Sequence, residues 1–353
     1  MISDIRLQNF RTYSDNTFEF GAGVNIIVGP NASGKTNLME SILVLCRGGS
    51  YRAHDTDLVA YGHEWARLDG MVGGQNRNVK LVKTGLGVKK EFLIGGTVLK
   101  RLPMARSVPV VVFEPNHLQL LTQSPELRRV FLDDIIEQTV ATYGSLRKSY
   151  KRTLSQRNSL LKQMGSDDQL FVWNLRLSEM GGQIAANRLQ FIQDNSLLLA
   201  DLYSKLAGQK SEATLRYDTK LSTQNYASAM LKELAARTTI DRQRGYTTIG
   251  PHRDDMLPIL KGHPLSVAAS RGETRTMLLA LKLLEIKSIE TARGSKPILL
   301  LDDVFSELDG KRRRTLTEHL QDHQTFITTT DADIVVQHFL DNCTVIPTSK
   351  ASS

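Results

Sequence analysis

Apolar and polar residues alternate at Ile5, Leu7 and Phe10 and again at Phe18 and Phe20, and then Val24-Asn25-Ile26-Ile27-Val28 is almost continuously apolar and β-branched. A period of two predicts half-buried antiparallel strands, and the continuous run predicts a fully buried one. That run stops at Gly29, after which Leu38, Met39, Ile42 and Leu43 fall at helical spacing. The cluster Gly48-Gly49-Ser50-Tyr51-Arg52 breaks the helix. Strand-like stretches follow at 66–72 and 79–83, and Phe92-Leu93-Ile94 ends at Gly95-Gly96, which predicts a hairpin with Thr97-Val98-Leu99. A buried-type strand over 108–113 is stopped by Glu114-Pro115-Asn116.

From Pro125 to about Ala207 the spacing turns helical: Phe131, Ile135, Ile136 and Val140, then Leu146, Tyr150 and Leu154, later Ile184, Leu189 and Ile192. Gly165-Ser166-Asp167-Asp168 and Gly181-Gly182 are expected to interrupt it. No heptad pattern persists, so the region predicts a helical lobe without a long coiled coil. A second sheet-rich block follows, in which 246–256 is too dense in turn and charged residues for a plain strand. Met277, Leu278, Leu281, Leu283 and Leu284 then mark a helix. Pro297-Ile298-Leu299-Leu300-Leu301 is a buried strand ending in Asp302-Asp303, and 325–331 and 344–347 read as two more strands.

Composition narrows the class without choosing within it. The 353 residues, 41% hydrophobic and 23% charged, suit a globular protein of one or two domains. No apolar run approaches ~20 residues, and the N-terminus lacks the basic-then-apolar build of a signal peptide, so a cytoplasmic protein without a membrane anchor is expected. Cys46 and Cys343 stand alone, which fits a reducing compartment. The formal charge of +8 favours a polyanionic partner.

The stretch Gly29-Pro30-Asn31-Ala32-Ser33-Gly34-Lys35-Thr36 matches the phosphate-binding loop Gly-x-x-x-x-Gly-Lys-[Ser/Thr], in its required place between strand and helix. Its glycines let successive N–H groups face a polyphosphate, and the helix N-terminus, with Asn37 in its first turn, adds partial positive charge. ATP is the expected ligand. Lys35 would reach its β- and γ-phosphates, and the Thr36 hydroxyl would ligate Mg²⁺. Asp302, at the end of a buried strand, is the second expected Mg²⁺ holder, and Asp303 is placed to orient or deprotonate the attacking water. A second anion site is expected where Ser270-Arg271-Gly272-Glu273 opens a helix. Two phosphate-binding helix ends are one too many for a single nucleotide unless two copies meet head to tail, each covering the other's nucleotide with Ser270 and Gly272. His319 and His323 stand four apart but lack a third metal ligand.

Between Val140 and Ser166 lie six basic residues (Arg147, Lys148, Lys151, Arg152, Arg157 and Lys162) and no acidic one. Arg147, Lys148, Lys151 and Arg152 would share a positive helix face, either merely solvated or in contact with a phosphate backbone.

Taken together these parts resemble the ABC-type ATPase heads of the SMC and DNA-repair superfamily, and within it most closely the RecF family. The likeness runs through Leu7-Gln8-Asn9-Phe10-Arg11, Gly29–Thr36, Val112–Pro115, Pro125–Asp133, Thr248–Asp255 and Leu300–Asp309, with Gly-Pro-His-Arg-Asp-Asp at 250–255 its most specific block. It implies an α/β fold: lobe I with a mixed sheet, at 1–113 and 246–353, and an inserted helical lobe II over roughly 114–245. It implies a slow ATPase that binds DNA, at gaps or single-strand/double-strand junctions, as an ATP-dependent homodimer, working with RecO and RecR to load RecA. Arg11 becomes a base- or phosphate-side contact by this resemblance, and Phe305–Asp309 the segment after the second acidic motif. The chain departs from the pattern in several places. Glu273-Thr274 stands where glutamines are usual, Asp303 where many ABC ATPases have glutamate, and Thr330 where a switch histidine is expected, while Gln119 is only a loose Q-loop candidate. A transporter's nucleotide-binding subunit is the competing reading, and it has no place for the 250–255 block. A chromosome-organising head would need heptad arms that the chain lacks.

Overall fold

The computed structural model describes residues 1–304, 310–330 and 343–348. The N-terminal alternation builds an antiparallel hairpin of β1 (Ile2–Phe10) and β2 (Tyr13–Glu19), with Ile5 opposite Phe18. Strands β4 (Trp65–Val72), β5 (Gln75–Thr84), β6 (Gly87–Ile94) and β7 (Thr97–Leu99) extend it into a six-stranded sheet of order β2-β1-β4-β5-β6-β7. The expected β6–β7 hairpin is present, with Gly95 and Gly96 both at positive φ.

The continuous apolar runs form a separate, wholly parallel sheet, as strands buried on both faces do. It contains β3 (Val24–Val28), β8 (Val110–Phe113), β12 (Ile298–Asp302), β13 (Thr325–Thr329) and β14 (Cys343–Pro347), in the order β14-β3-β13-β12-β8. Helix α1 (Lys35–Arg47) touches strands of both sheets and is buried on almost every side. Its Leu38, Met39 and Ile42 share one core with Ile5, Leu7 and Phe10 of β1 and with Ile27, Leu300 and Phe326 of the parallel sheet. Asn25 is the polar exception in β3, and its side-chain amide is satisfied by Gly21 and Gly23 at the turn before the strand. The short α2 (Asp55–Leu58) and α11 (Gly310–Leu320) complete this unit, which comprises 1–115 and 289–353.

The second unit is Asn116–Ser288. It carries α3 (Gln119–Thr122), α4 (Pro125–Thr139), α5 (Tyr143–Lys162), α6 (Asp167–Ala207), α7 (Tyr226–Ala236), α8 (Thr238–Arg244), α9 (Leu265–Ala268) and α10 (Arg271–Arg293) as far as Ser288. A small antiparallel sheet joins them, ordered β11-β10-β9: β9 (Ala213–Asp218), β10 (Asp255–Leu260) and β11 (His263–Pro264).

Three sequence expectations change here. The boundary at 245/246 moves to 288/289, because β10 pairs with β9 and Asp255 takes a bidentate ion pair from Arg128 of α4 at 2.9 and 2.7 Å. Gly181-Gly182 does not interrupt the helix, and α6 runs unbroken for 41 residues. Those glycines allow α7 to approach: a Cβ on Gly181 would lie 2.6 Å from Met230 Sδ, and one on Gly182 would lie 2.8 Å from Ala227 Cβ. The basic face of α5 is also narrower than its composition implies, because Arg157 is fully buried. It donates to Asp241 and Thr247 at 2.8 Å and to Asn174 at 2.7 Å, a set of partners that offsets the cost of burying the charge.

The block at 250–255 organises this second unit. Arg188 donates to Pro251 O at 2.7 Å and grips Asp133 with two bonds of 2.9 and 3.0 Å. Tyr150 OH meets His252 Nδ1 at 2.7 Å, and burial pushes the His252 pKa down to about 4. Asp254 accepts hydrogen bonds from the Tyr217 and Tyr226 hydroxyls, and burial pushes its carboxyl up. The specificity of this motif is thus that of an interlocked, buried polar network. No described helix is long and apolar enough to cross a membrane.

Candidate nucleotide site

The loop between β3 and α1 has the backbone its sequence demands. Gly34 takes φ 94° at the helix N-cap, and Ala32 also sits in the left-handed region, at φ 65°. No side chain caps α1 and its first turn carries no acid, so its N-terminal N–H groups keep their positive field for a ligand. Lys35 is 5% exposed, and its ammonium bridges the carbonyls of Gly29 (2.7 Å) and Pro30 (3.0 Å) across the mouth of the loop. Gly29 is required where it stands: a Cβ there would overlap Thr348 and the Ser33 hydroxyl. Ser33 Oγ and Thr348 Oγ1 are 2.7 Å apart, which ties the loop to the residue after β14. Asn37 Nδ2 donates to Thr12 Oγ1 and Tyr13 OH to Gly34 O, both at 3.0 Å, so the β1–β2 turn braces the start of α1. Burial raises the Tyr13 phenol to about 12, which keeps it a donor.

The two halves of the expected site meet. Thr36 Oγ1 donates to Asp302 Oδ1 at 3.2 Å, and Thr328 Oγ1 donates to the same oxygen at 2.7 Å. Tyr51 OH donates to Oδ2 at 3.3 Å. Three hydroxyls thus fix one carboxylate at the carboxyl end of β12, where parallel sheets present ligand sites. Asp303 follows at φ 52°, a left-handed conformation that aspartate tolerates, and its N–H donates to Thr328 Oγ1 at 3.0 Å. Burial raises the Asp303 carboxyl above the usual aspartate range, the negative charge of Asp302 adds to this, and Lys35 opposes it. A carboxylate and a hydroxyl in contact, both hard oxygen donors, fit Mg²⁺.

The remaining expected residues fall elsewhere. Arg11 sits at φ 54°, and its guanidinium grips the buried Glu40 carboxylate of α1 at 2.6 and 3.0 Å, so in this structure its contacts are to protein. Ser50 Oγ also donates to Glu40. Ser270, Gly272 and Glu273 belong to the second unit. There Ser270 Oγ accepts from Glu273 N at 3.2 Å while Ser270 N donates to Glu273 Oε2 at 2.9 Å, the reciprocal bonds of a capping box. The Ser270 N–H bond, followed by the Lys261 side chain at 3.1 Å, holds the Glu273 carboxyl below its usual range. Gln119 opens α3. On α5, Lys148, Lys151 and Arg152 are exposed, whereas Arg147 is half-buried and paired with Glu137 at 2.8 Å and Asp133 at 3.2 Å. His323 pairs with Glu290 at 2.7 Å, and His319 Nδ1 meets Thr315 O at 2.9 Å. Phe305–Asp309 lie outside the described residues.

Tyr51, Thr328 and Thr348 are the site residues that pattern reading missed. Thr328 could have been found, because a Thr-Thr-Thr run at the end of a buried strand puts a hydroxyl at the ligand edge. Tyr51 sits in a cluster that reads only as a helix breaker, and nothing local to Thr348 signals a contact 315 residues back.

The family model described as the RecF/RecN/SMC N terminal domain matches residues 1–351. The chain is 34% identical to a DNA replication and repair protein RecF of Acetivibrio thermocellus, over 97% of this chain and 96% of that protein. It is 35% identical to the protein of the same description from Symbiobacterium thermophilum, over 96% and 94%. A solved structure described as the recombination mediator protein RecF-ATP in the RecFOR pathway superposes with a TM-score of 0.84 at 30% identity, covering 94% of this chain and 92% of that one.

Proposed function

The chain belongs to the RecF family of RecF/RecN/SMC proteins, and from that premise we propose that it is an ATP-dependent, DNA-binding recombination mediator of DNA repair and replication. The observation that carries the reading is the hydrogen bond from Thr36 to Asp302, which unites the phosphate loop with the acidic strand end. ATP is the ligand. The uncapped N–H groups of α1 face its phosphates, and Lys35 exchanges its carbonyl partners for phosphate oxygens. Thr36 and Asp302 would hold Mg²⁺, which neutralises phosphate charge when bound. Asp303 orients the attacking water and accepts its proton. Its side chain is about 1.5 Å shorter than glutamate, and Thr330 replaces a histidine, so hydrolysis is slow and suits a switch that stays closed on DNA.

Two copies complete each other head to tail, with Ser270 and Gly272 of one over the nucleotide of the other. DNA is held by its backbone, in keeping with the +8 formal charge, and the exposed Lys148, Lys151 and Arg152 belong to that surface. RecO and RecR are the partners, RecA loading at gapped duplex is the outcome, and the cytoplasm is the place of work. The test is molecular mass in solution with and without ATP and Mg²⁺, repeated with gapped DNA. The mass should double with ATP, and gapped DNA should favour the dimer. A monomer under all conditions overturns the shared-site reading.

A further inference from the structure

A cleft of about 330 Å³ opens in the second unit, lined by Lys220, Arg244 and Tyr246, which have no role so far, by Asp218, and by Arg253 and Asp254 of the 250–255 block. Its volume lies at the small end of the range for ligand clefts, ~300–1,000 Å³. Tyr246 is 39% exposed, and the Arg253 guanidinium lies over its ring, 4.8 Å from the centroid, so the two form a cation–π pair at the cleft wall. Among the described residues, the Arg253 guanidinium is otherwise held by long contacts of 3.4 and 3.5 Å to Thr247 O. Lys220 and Arg244 are exposed and have no carboxylate partner among the described residues.

The opposing charge is weak. Asp254 is buried, its carboxyl is pushed up by that burial, and it accepts hydrogen bonds from the Tyr217 and Tyr226 hydroxyls. The Thr248 hydroxyl is spent on Asp241 at 2.7 Å. Asp218 is the one acid left exposed at the rim. Two free cations beside an aromatic–guanidinium pair match the chemistry of an unstacked base carrying phosphates on either side.

We propose that this cleft holds one unpaired nucleotide of a DNA strand, its base on the Tyr246–Arg253 pair and its flanking phosphates on Lys220 and Arg244. The proposal rests on the DNA-binding reading above and gives it a single-strand subsite. A duplex cannot place a base there without flipping it out.

The test uses the full chain with a single-stranded oligodeoxynucleotide carrying one 2-aminopurine, beside a duplex of the same sequence. Wild-type protein should quench the probe by stacking. Tyr246→Leu with Arg253→Ser should abolish the quench and weaken single-strand binding roughly five-fold or more, leaving the duplex unaffected. Tyr246→Phe keeps a ring and should keep the quench. Lys220→Gln and Arg244→Gln should each flatten the slope of log affinity against log salt by about 0.7. All four side chains reach the surface, and circular dichroism checks that the variants fold. An unchanged quench and affinity in the Tyr246/Arg253 double variant, with DNA still bound, overturns the cleft alone. A wild-type protein that binds no DNA overturns the DNA reading along with it. Excess dAMP should leave the quench in place, and displacement of the probe by dAMP would assign the cleft to free nucleotides, overturning the strand assignment.

Discussion

Two helix N-termini that look alike in the sequence are built in opposite ways. Helix α1 begins behind a left-handed glycine, with no side-chain cap and no acid in its first turn. Helix α10 begins with Ser270 and Glu273 bonded to each other's backbone, and Glu273 adds a negative charge in its first turn. The first helix end keeps its positive field and its N–H groups for a ligand. The second has satisfied part of that demand internally, so a phosphate there meets a carboxylate as well as a dipole. A glycine-rich loop is therefore more than a flexible connector, because it withholds the capping groups that would make the helix self-sufficient.

Breaking the first end has the largest expected effect. Lys35→Met should remove nucleotide-dependent behaviour altogether while the fold survives, since among the described residues the Lys35 ammonium bonds to loop carbonyls alone. Equilibrium ATP binding and a thermal melt check both halves of that expectation, and near-normal hydrolysis would sink the assignment. Breaking the second end should separate binding from assembly. Ser270→Arg should leave ATP binding to the monomer intact and abolish both the ATP-induced dimer and turnover, as read by light scattering and phosphate release.

The acidic strand end sharpens the contrast through pH. Because burial and Asp302 raise the Asp303 carboxyl, its ionised form is lost at a higher pH than an ordinary aspartate's. ATPase activity should therefore fall on acidification before free carboxylates titrate, and Asp303→Asn should erase that limb along with turnover. A group whose folded pKa is raised costs stability once pH climbs through that value, so Asp303→Asn should also melt higher at neutral pH. The smallest effect belongs to Glu273→Gln. Glutamine can serve a capping box, so only the charge and the exposed Lys261 pair are lost, within about 1 kcal/mol of stability. Since the folded pKa of Glu273 is depressed, its contribution is present above the unfolded value and fades as pH falls through the folded one. The same variant should lower the ATP concentration needed for half-maximal dimerisation, because the carboxylate no longer opposes phosphate.

Arg157, Gly181 and Arg11 show why part of the molecule escaped pattern reading. A basic residue on a helix reads as solvated or ligand-binding, yet Arg157 is buried because Asp241, Thr247 and Asn174 converge on it from distant segments. A glycine pair reads as a break, yet at Gly181-Gly182 it marks the close approach of another helix. Arg11 meets Glu40 on α1 because β1 and α1 share one core.

The strand–loop–helix at Gly29–Thr36, the buried strands and the acidic end of β12 were legible from the chain alone. Each depends on local order: alternation, glycine spacing and a carboxylate where an apolar run ends. Only the tertiary structure decided that Thr328 and Tyr51 aim Asp302, that Thr348 holds Ser33, and that 246–288 joins the second unit. Those outcomes depend on strand order and register. Parallel pairing of β12 with β13 sets Asp302 against Thr328, and the pairing of β9 with β10 brings the 250–255 block into contact with Arg128 and Arg188. Sheet order between strands far apart in sequence follows from packing the whole core, so no local stretch of the chain contains it.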